Sequence, residues 1–103
     1  MAKPPKHYQK LAQQFPAFLE AVEQLGQVSR QSGPIDEKNA QLLQLAASAA
    51  IRSEGGVHSH TKRALKAGVS PEEIRHSLIL LTSTLGFPTV MAALSWSNDI
   101  LED

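Results

Sequence analysis

The sequence predicts an all-α fold of about six helices in a single domain over residues 1–103. Apolar residues recur at three- and four-residue steps along most of the chain, which is the spacing of one helix face. The sequence contains no strand-like alternation and no internal repeat. A chain of 103 residues has room for one compact domain with a modest core.

The first half of the chain predicts three helices. Apolar residues at helical spacing over residues 8–15 predict a short helix, which Pro16 interrupts because a proline inside a helix removes a hydrogen bond. A second helix is expected from Pro16 to about Ser29, followed by turn residues at positions 32–34. Asp36 is a suitable N-cap for a third helix over residues 37–52. That helix is apolar around much of its surface, so we expect it to pack on more than one neighbour.

Glycines and capping residues set the limits of the next two helices. The flexible pair Gly55 and Gly56 is expected to open a fourth helix. Gly68 can take the left-handed conformation that closes this helix. Ser70 and Glu73 have the spacing of a capping box, so a fifth helix should begin directly after Ser70.

Residues 77–96 carry no charge, which raises the alternative of a membrane span. Gly86 and Pro88 interrupt the segment, and several hydroxyl residues lie within it. Two buried helices joined by a tight turn therefore explain it better. The last helix should run over residues 88–101, with Phe87 and Trp96 as bulky anchors.

Residues 53–74 resemble the core of the carboxymuconolactone decarboxylase and alkylhydroperoxidase D superfamily. That core has a Cys-x-x-Cys pair, three further residues and a histidine; Ser53 and Gly56 hold the two cysteine positions here and His60 the histidine position. Gln41 stands where the resembling peroxidases carry a glutamate that relays protons to the thiols. The resemblance covers residues 36–101 and implies an antiparallel helical bundle that assembles into trimers or hexamers.

Composition excludes several functions. Without cysteine the chain has no disulfide, no thiolate nucleophile and no Cys-ligated metal. A formal net charge of zero and the lack of a basic run interleaved with aromatics argue against nucleic acid as a partner. The N-terminus lacks the apolar stretch of a secretory signal, so we expect a cytoplasmic protein. No cofactor is expected.

His60 is the candidate catalytic residue, because an imidazole can transfer protons near neutral pH. The alternative is a core histidine that stiffens the start of its helix. Glycine amides near a helix N-terminus could hold an anion, although a plain turn is their commoner use, and a nearby cation could bind a carboxylate. The candidate substrate-binding residues are Gln41, Ser53, Gly55, Gly56 and Arg63.

We expect no metal site, and in particular none formed by His58 and His60 together. These two side chains are two residues apart and should point to nearly opposite sides of the helix, so they cannot chelate one ion together. A site built from His60, His76 and a carboxylate stays open as an alternative. The candidates for a second ionisable group beside His60 are Glu54, Glu72, Glu73 and His76.

Three functions follow from these observations. Dithiol peroxidase activity is not expected, because Ser53 and Gly56 replace both sulfurs. A cofactor-independent acid/base enzyme of the decarboxylase type, acting on a small carboxylated or lactone substrate, is the favoured hypothesis. The alternative is a non-catalytic oligomer that binds a ligand or a protein through the same cleft.

Overall fold

The computed structural model describes residues 4–102, and every element in that range is helical. The chain divides into two compact units between Ile35 and Asp36. Seven helical segments are present in the described range, and one of them is a single turn. The predicted all-α class is therefore confirmed, while the single domain over residues 1–103 stays a prediction.

The N-terminal unit contains α1 (Lys6–Gln14) and α2 (Pro16–Arg30). Pro16 occupies the first turn of α2, where its missing N–H is not needed. The hydroxyl of Tyr8 donates to the Glu23 carboxylate across 2.9 Å and so links the two helices. Leu19 is buried, but Phe18 and Leu25 on the same helix are exposed.

The C-terminal unit contains the five remaining helices. These are α3 (Glu37–Ala50), α4 (Glu54–Lys66), α5 (Pro71–Ile79), the single turn α6 (Thr82–Leu85) and α7 (Phe87–Leu101). Helix α3 packs on α4, α5 and α7, which confirms that it meets more than one neighbour. Its centre is Leu45, which is fully buried with Val57, Ile74 and Leu78. Val69 and the small residues Ala49, Ala64 and Ala93 complete the core, and the alanines allow the helices to approach closely.

The predicted helix starts and stops agree with the structure to within about two residues. Asp36 caps α3 by accepting from the Asn39 amide. Gly68 has a positive φ of 98° and closes α4 in a Schellman motif. The third helix ends at Ala50 rather than at residue 52, because Arg52 itself adopts a positive φ of 55° and forms a second Schellman motif there. A non-glycine residue in this conformation gives no signal in a sequence pattern.

The charge-free segment 77–96 differs from the predicted pair of buried helices. It comprises the end of α5, the turn α6 and most of α7, and one face of it is exposed. Phe87, expected as an anchor, is 62% exposed, whereas Trp96 packs against the core. Among residues 4–102 no helix is long and apolar enough to cross a membrane.

Candidate functional site

The candidate site begins at the N-terminus of α4. Ser53 is the N-cap, and its hydroxyl oxygen accepts from the Gly56 amide across 3.0 Å. This hydrogen bond satisfies one of the amides that a helix start leaves without a partner. The Gly56 amide is therefore used within the helix start, and the Ser53 hydroxyl has a structural role there.

Gly56 lies against the neighbouring helix α3. A Cβ atom at this position would be 2.6 Å from the Ser48 Oγ and 2.9 Å from the Ser48 Cβ. Contacts this short do not occur between real side chains, so α3 and α4 approach each other here because position 56 has no side chain. Gly55 is different, since a Cβ there would meet nothing within 4 Å.

His60 lies one turn after Gly56 and faces α3. Its Nδ1 is 2.9 Å from the Oε1 of Gln41, which is 1% exposed. The Nε2 of Gln41 in turn donates to the Glu37 carboxylate across 2.8 Å. A carboxylate, a buried amide and an imidazole thus form a continuous chain of hydrogen bonds between the two helices.

This chain of hydrogen bonds determines which nitrogen of the neutral imidazole carries the proton. An ionised carboxylate only accepts hydrogen bonds, so the amide NH₂ of Gln41 must face Glu37. The amide oxygen then faces His60, and Nδ1 must be the donor. In the neutral ring the basic lone pair consequently lies on Nε2. Gln41 accepts from Nδ1 in both the neutral and the protonated ring, so the chain persists when His60 gains or loses a proton.

Glu37 is a residue of the candidate site that the sequence did not reveal. The four candidates for an ionisable group beside His60 lie on α4 and α5. The carboxylate that is linked to His60 through Gln41 instead lies on α3. Glu37 and Gln41 are four residues apart on α3, a spacing at which helix side chains meet. That spacing was the available signal.

The remaining candidate residues named from the sequence lie on α4 and α5. Glu73 closes the capping box of α5 with Ser70. The hydrogen bonds from Ser70, first of all from its backbone amide, hold the pKa of the Glu73 carboxyl below its ordinary value. Glu72 and His76 are exposed on α5. Arg63 is exposed on α4, one turn beyond His60.

His58 and His60 leave α4 on opposite sides, as their spacing predicted. The His58 Nε2 lies 2.9 Å from the Asp99 carboxylate on α7, whereas His60 bonds to α3. His58 is half-buried and paired with Asp99 within the chain.

The sequence model of the carboxymuconolactone decarboxylase family matches residues 16–99. The chain belongs to the carboxymuconolactone decarboxylase family. The match begins in α2, so the family core extends further toward the N-terminus than the motif-based resemblance over residues 36–101. None of the curated proteins is significantly similar to the chain in sequence.

A solved structure of another carboxymuconolactone decarboxylase family protein has the same fold as this chain. It is the crystal structure of an apo protein of the same family from Legionella pneumophila. The TM-score is 0.77 at 22% sequence identity, and the similarity covers 93% of this chain and 85% of the other. The predicted family and its helical fold are therefore confirmed.

Proposed function

We propose that this family member carries out cofactor-independent acid/base chemistry of the decarboxylase type at His60, on a small carboxylated or lactone substrate. The observation that carries the proposal is the Glu37–Gln41–His60 chain, which holds the ring in one orientation with Nε2 as the reacting nitrogen. A hydrogen-bond partner on one ring nitrogen sets the tautomer and orientation in which the other nitrogen can transfer a proton. A histidine used for packing alone does not require a buried amide whose orientation is imposed by a carboxylate.

The proton balance of a decarboxylation fits this arrangement. When the carbon–carbon bond to the carboxylate breaks, carbon dioxide leaves. The electron pair of that bond stays on the substrate, which becomes an enolate. The protonated ring of His60 delivers the Nε2 proton to the enolate carbon and becomes neutral, while Nδ1 keeps its bond to Gln41. The Glu37 carboxylate at the other end of the amide keeps the Gln41 oxygen turned toward Nδ1 throughout the transfer.

Substrate binding draws on the start of α4 and on the cation that follows His60. The positive end of the helix dipole at Gly55 favours a negative substrate group. Arg63 is exposed on the same helix and supplies a guanidinium for a carboxylate. The Gly56 amide is used by the Ser53 cap, so it contributes less to anion binding than the sequence suggested.

A peroxide-reducing role is not proposed. That chemistry passes electrons through two thiols, and the sequence holds no cysteine. At the first thiol position Ser53 caps a helix, and at the second a side chain on residue 56 would clash with Ser48.

The first test is an NMR titration of the histidine rings with succinate and with a carboxylated γ-lactone as probes. We expect the His60 ring signals to shift on binding and the exposed His76 signals to stay in place. Long-range proton–nitrogen spectra should show the Nδ1–H form of neutral His60. The Glu37→Gln variant should lose this preference, while Glu72→Gln, which removes an exposed carboxylate elsewhere, should retain it. If no probe moves His60 and the ring shows no tautomer preference, the acid/base proposal is wrong and a binding module becomes the better hypothesis.

Once a turned-over substrate is found, His60→Ala should abolish turnover and leave the helical circular dichroism unchanged. His76→Ala is the matched control and should keep full activity. If His60→Ala unfolds the protein or changes its molecular mass in solution, His60 is a structural residue and the catalytic role is refuted.

We also propose that the chain self-associates as a trimer or hexamer. The C-terminal unit exposes large apolar side chains that it cannot bury by itself, namely Leu43, Ile51, Ile79, Leu80, Phe87 and Met91. Four of them lie in the charge-free segment 77–96. Light scattering after gel filtration should give a multiple of the 11.2 kDa chain mass, and Leu80→Glu should lower it. A monomeric wild-type protein would contradict this proposal.

A further inference from the structure

A second cluster of ionisable side chains lies where α4 meets α7, on the side of α4 opposite His60. Glu54 and His58 are four residues apart on α4, and Asp99 comes from α7. One ligand atom from each residue lies within 4.8 Å of the other two. The closest pair is the His58 Nε2 and the Asp99 Oδ2, at 2.9 Å.

The three side chains form a mixed nitrogen and oxygen ligand set. Ligand atoms sit about 2.0–2.2 Å from a bound zinc ion, so two ligands of one ion are at most ~4.4 Å apart. The separations in the cluster, which reach up to 4.8 Å, exceed that limit by at most ~0.4 Å, and Glu54 is exposed, so a change of its rotamer can close the difference. Two carboxylates and a neutral imidazole balance the charge of a divalent cation. An imidazole ligand favours zinc, cobalt or nickel over magnesium or calcium.

The two helices that carry the ligands are held in register close to the cluster. The hydroxyls of Thr61 and Ser97 share a hydrogen bond of 2.9 Å, and both residues are fully buried. Thr61 follows His58 by one helical turn, and Ser97 precedes Asp99 by two residues. A ligand set on two packed helices is better organised than one on a mobile loop.

We propose that Glu54, His58 and Asp99 bind a zinc-type divalent cation between α4 and α7. The exposed carboxylates leave the remaining coordination positions to water, so the site is open on its outer side. The ion joins α4 to α7 on the flank away from the Glu37–Gln41–His60 chain. This site is independent of the proposed chemistry at His60, and it differs from the sequence expectation of no metal site.

The test is calorimetric titration of the tag-free protein with Zn²⁺ alone. We expect one ion per chain, with binding at least tenfold weaker in His58→Ala and in Asp99→Asn. His76→Ala removes an exposed histidine outside the cluster and should bind as the wild type does. A tenfold excess of Mg²⁺ should not displace Zn²⁺. Binding that is absent, equal in all four proteins, or displaced by Mg²⁺ would overturn the proposal and leave His58 and Asp99 as an ordinary ion pair.

The single tryptophan provides a local readout of the same site. Trp96 is three residues before Asp99, so both lie on one face of α7. Bound Co²⁺ should quench Trp96 fluorescence at one equivalent in the wild type and leave it unchanged in Asp99→Asn. Circular dichroism of each variant identifies any loss of fold, and quenching that survives in both cluster variants would refute the assignment.

Discussion

The lack of space between Gly56 and Ser48 predicts that two adjacent glycines respond differently to substitution by alanine. A Cβ at Gly56 would lie 2.6 Å from the Ser48 Oγ and 2.9 Å from both the Ser48 Cβ and the Ser53 Oγ. The Ser48 Cβ is fixed to the α3 backbone, so Gly56→Ala must push α3 and α4 apart. Gly55→Ala adds the same methyl group where nothing lies within 4 Å. The two variants therefore differ in the three short contacts at position 56 and in little else.

Overpacking of this kind costs about 1–3 kcal/mol in the free energy of unfolding. Replacing glycine with alanine in a helix gains up to about 1 kcal/mol, and this gain applies to both variants. We therefore expect Gly55→Ala to be at least as stable as the wild type, and Gly56→Ala to be about 1–3 kcal/mol less stable than Gly55→Ala. For a domain of this size, 1 kcal/mol corresponds to roughly 4–8 °C in the melting temperature.

Urea unfolding followed by circular dichroism measures this difference. A double-mutant cycle with Ser48→Gly strengthens the test, because that change removes two of the three short contacts and should recover part of the loss in Gly56→Ala. Equal stability of Gly55→Ala and Gly56→Ala would refute the inference that the glycine is required by close helix packing. It would also show that position 56 has room for a side chain between α3 and α4.

Two further predictions concern hydrogen bonds within the C-terminal unit. The hydrogen bonds from Ser70 keep the pKa of Glu73 below its ordinary value. The ionised carboxylate of the capping box therefore stabilises the fold above about pH 5, and this contribution is lost as the pH falls further. Glu73→Gln should consequently show a smaller fall in the urea midpoint between pH 7 and pH 3 than the wild type. An equal fall in both proteins would contradict this. Thr61→Val leaves the buried Ser97 hydroxyl without a partner and should lower the free energy of unfolding by about 1–3 kcal/mol, measured by urea unfolding. The double variant with Ser97→Ala removes that hydroxyl as well and should recover part of the loss. Additive losses would contradict the predicted coupling.

The local features of the fold could be predicted from the sequence. Helix limits depend on residues within one turn of each end, and Asp36, Ser70 and Gly68 act there as their chemistry predicts. The opposite directions of His58 and His60 follow from helix geometry alone. The loss of both cysteines excluded the thiol chemistry without any structure, because no arrangement of the remaining residues supplies a thiolate.

Contacts between helices required the tertiary structure. The pairing of Gln41 with His60 spans nineteen positions and depends on how α3 packs on α4, so the Glu37–Gln41 spacing by itself did not connect Glu37 to His60. The meeting of His58 with Asp99 similarly depends on the packing of α4 on α7. Periodicity specifies that a helix has a buried face but does not specify which helix covers it. The sequence by itself therefore determined the helices and the excluded chemistry, and the packing between helices decided which side chains act together.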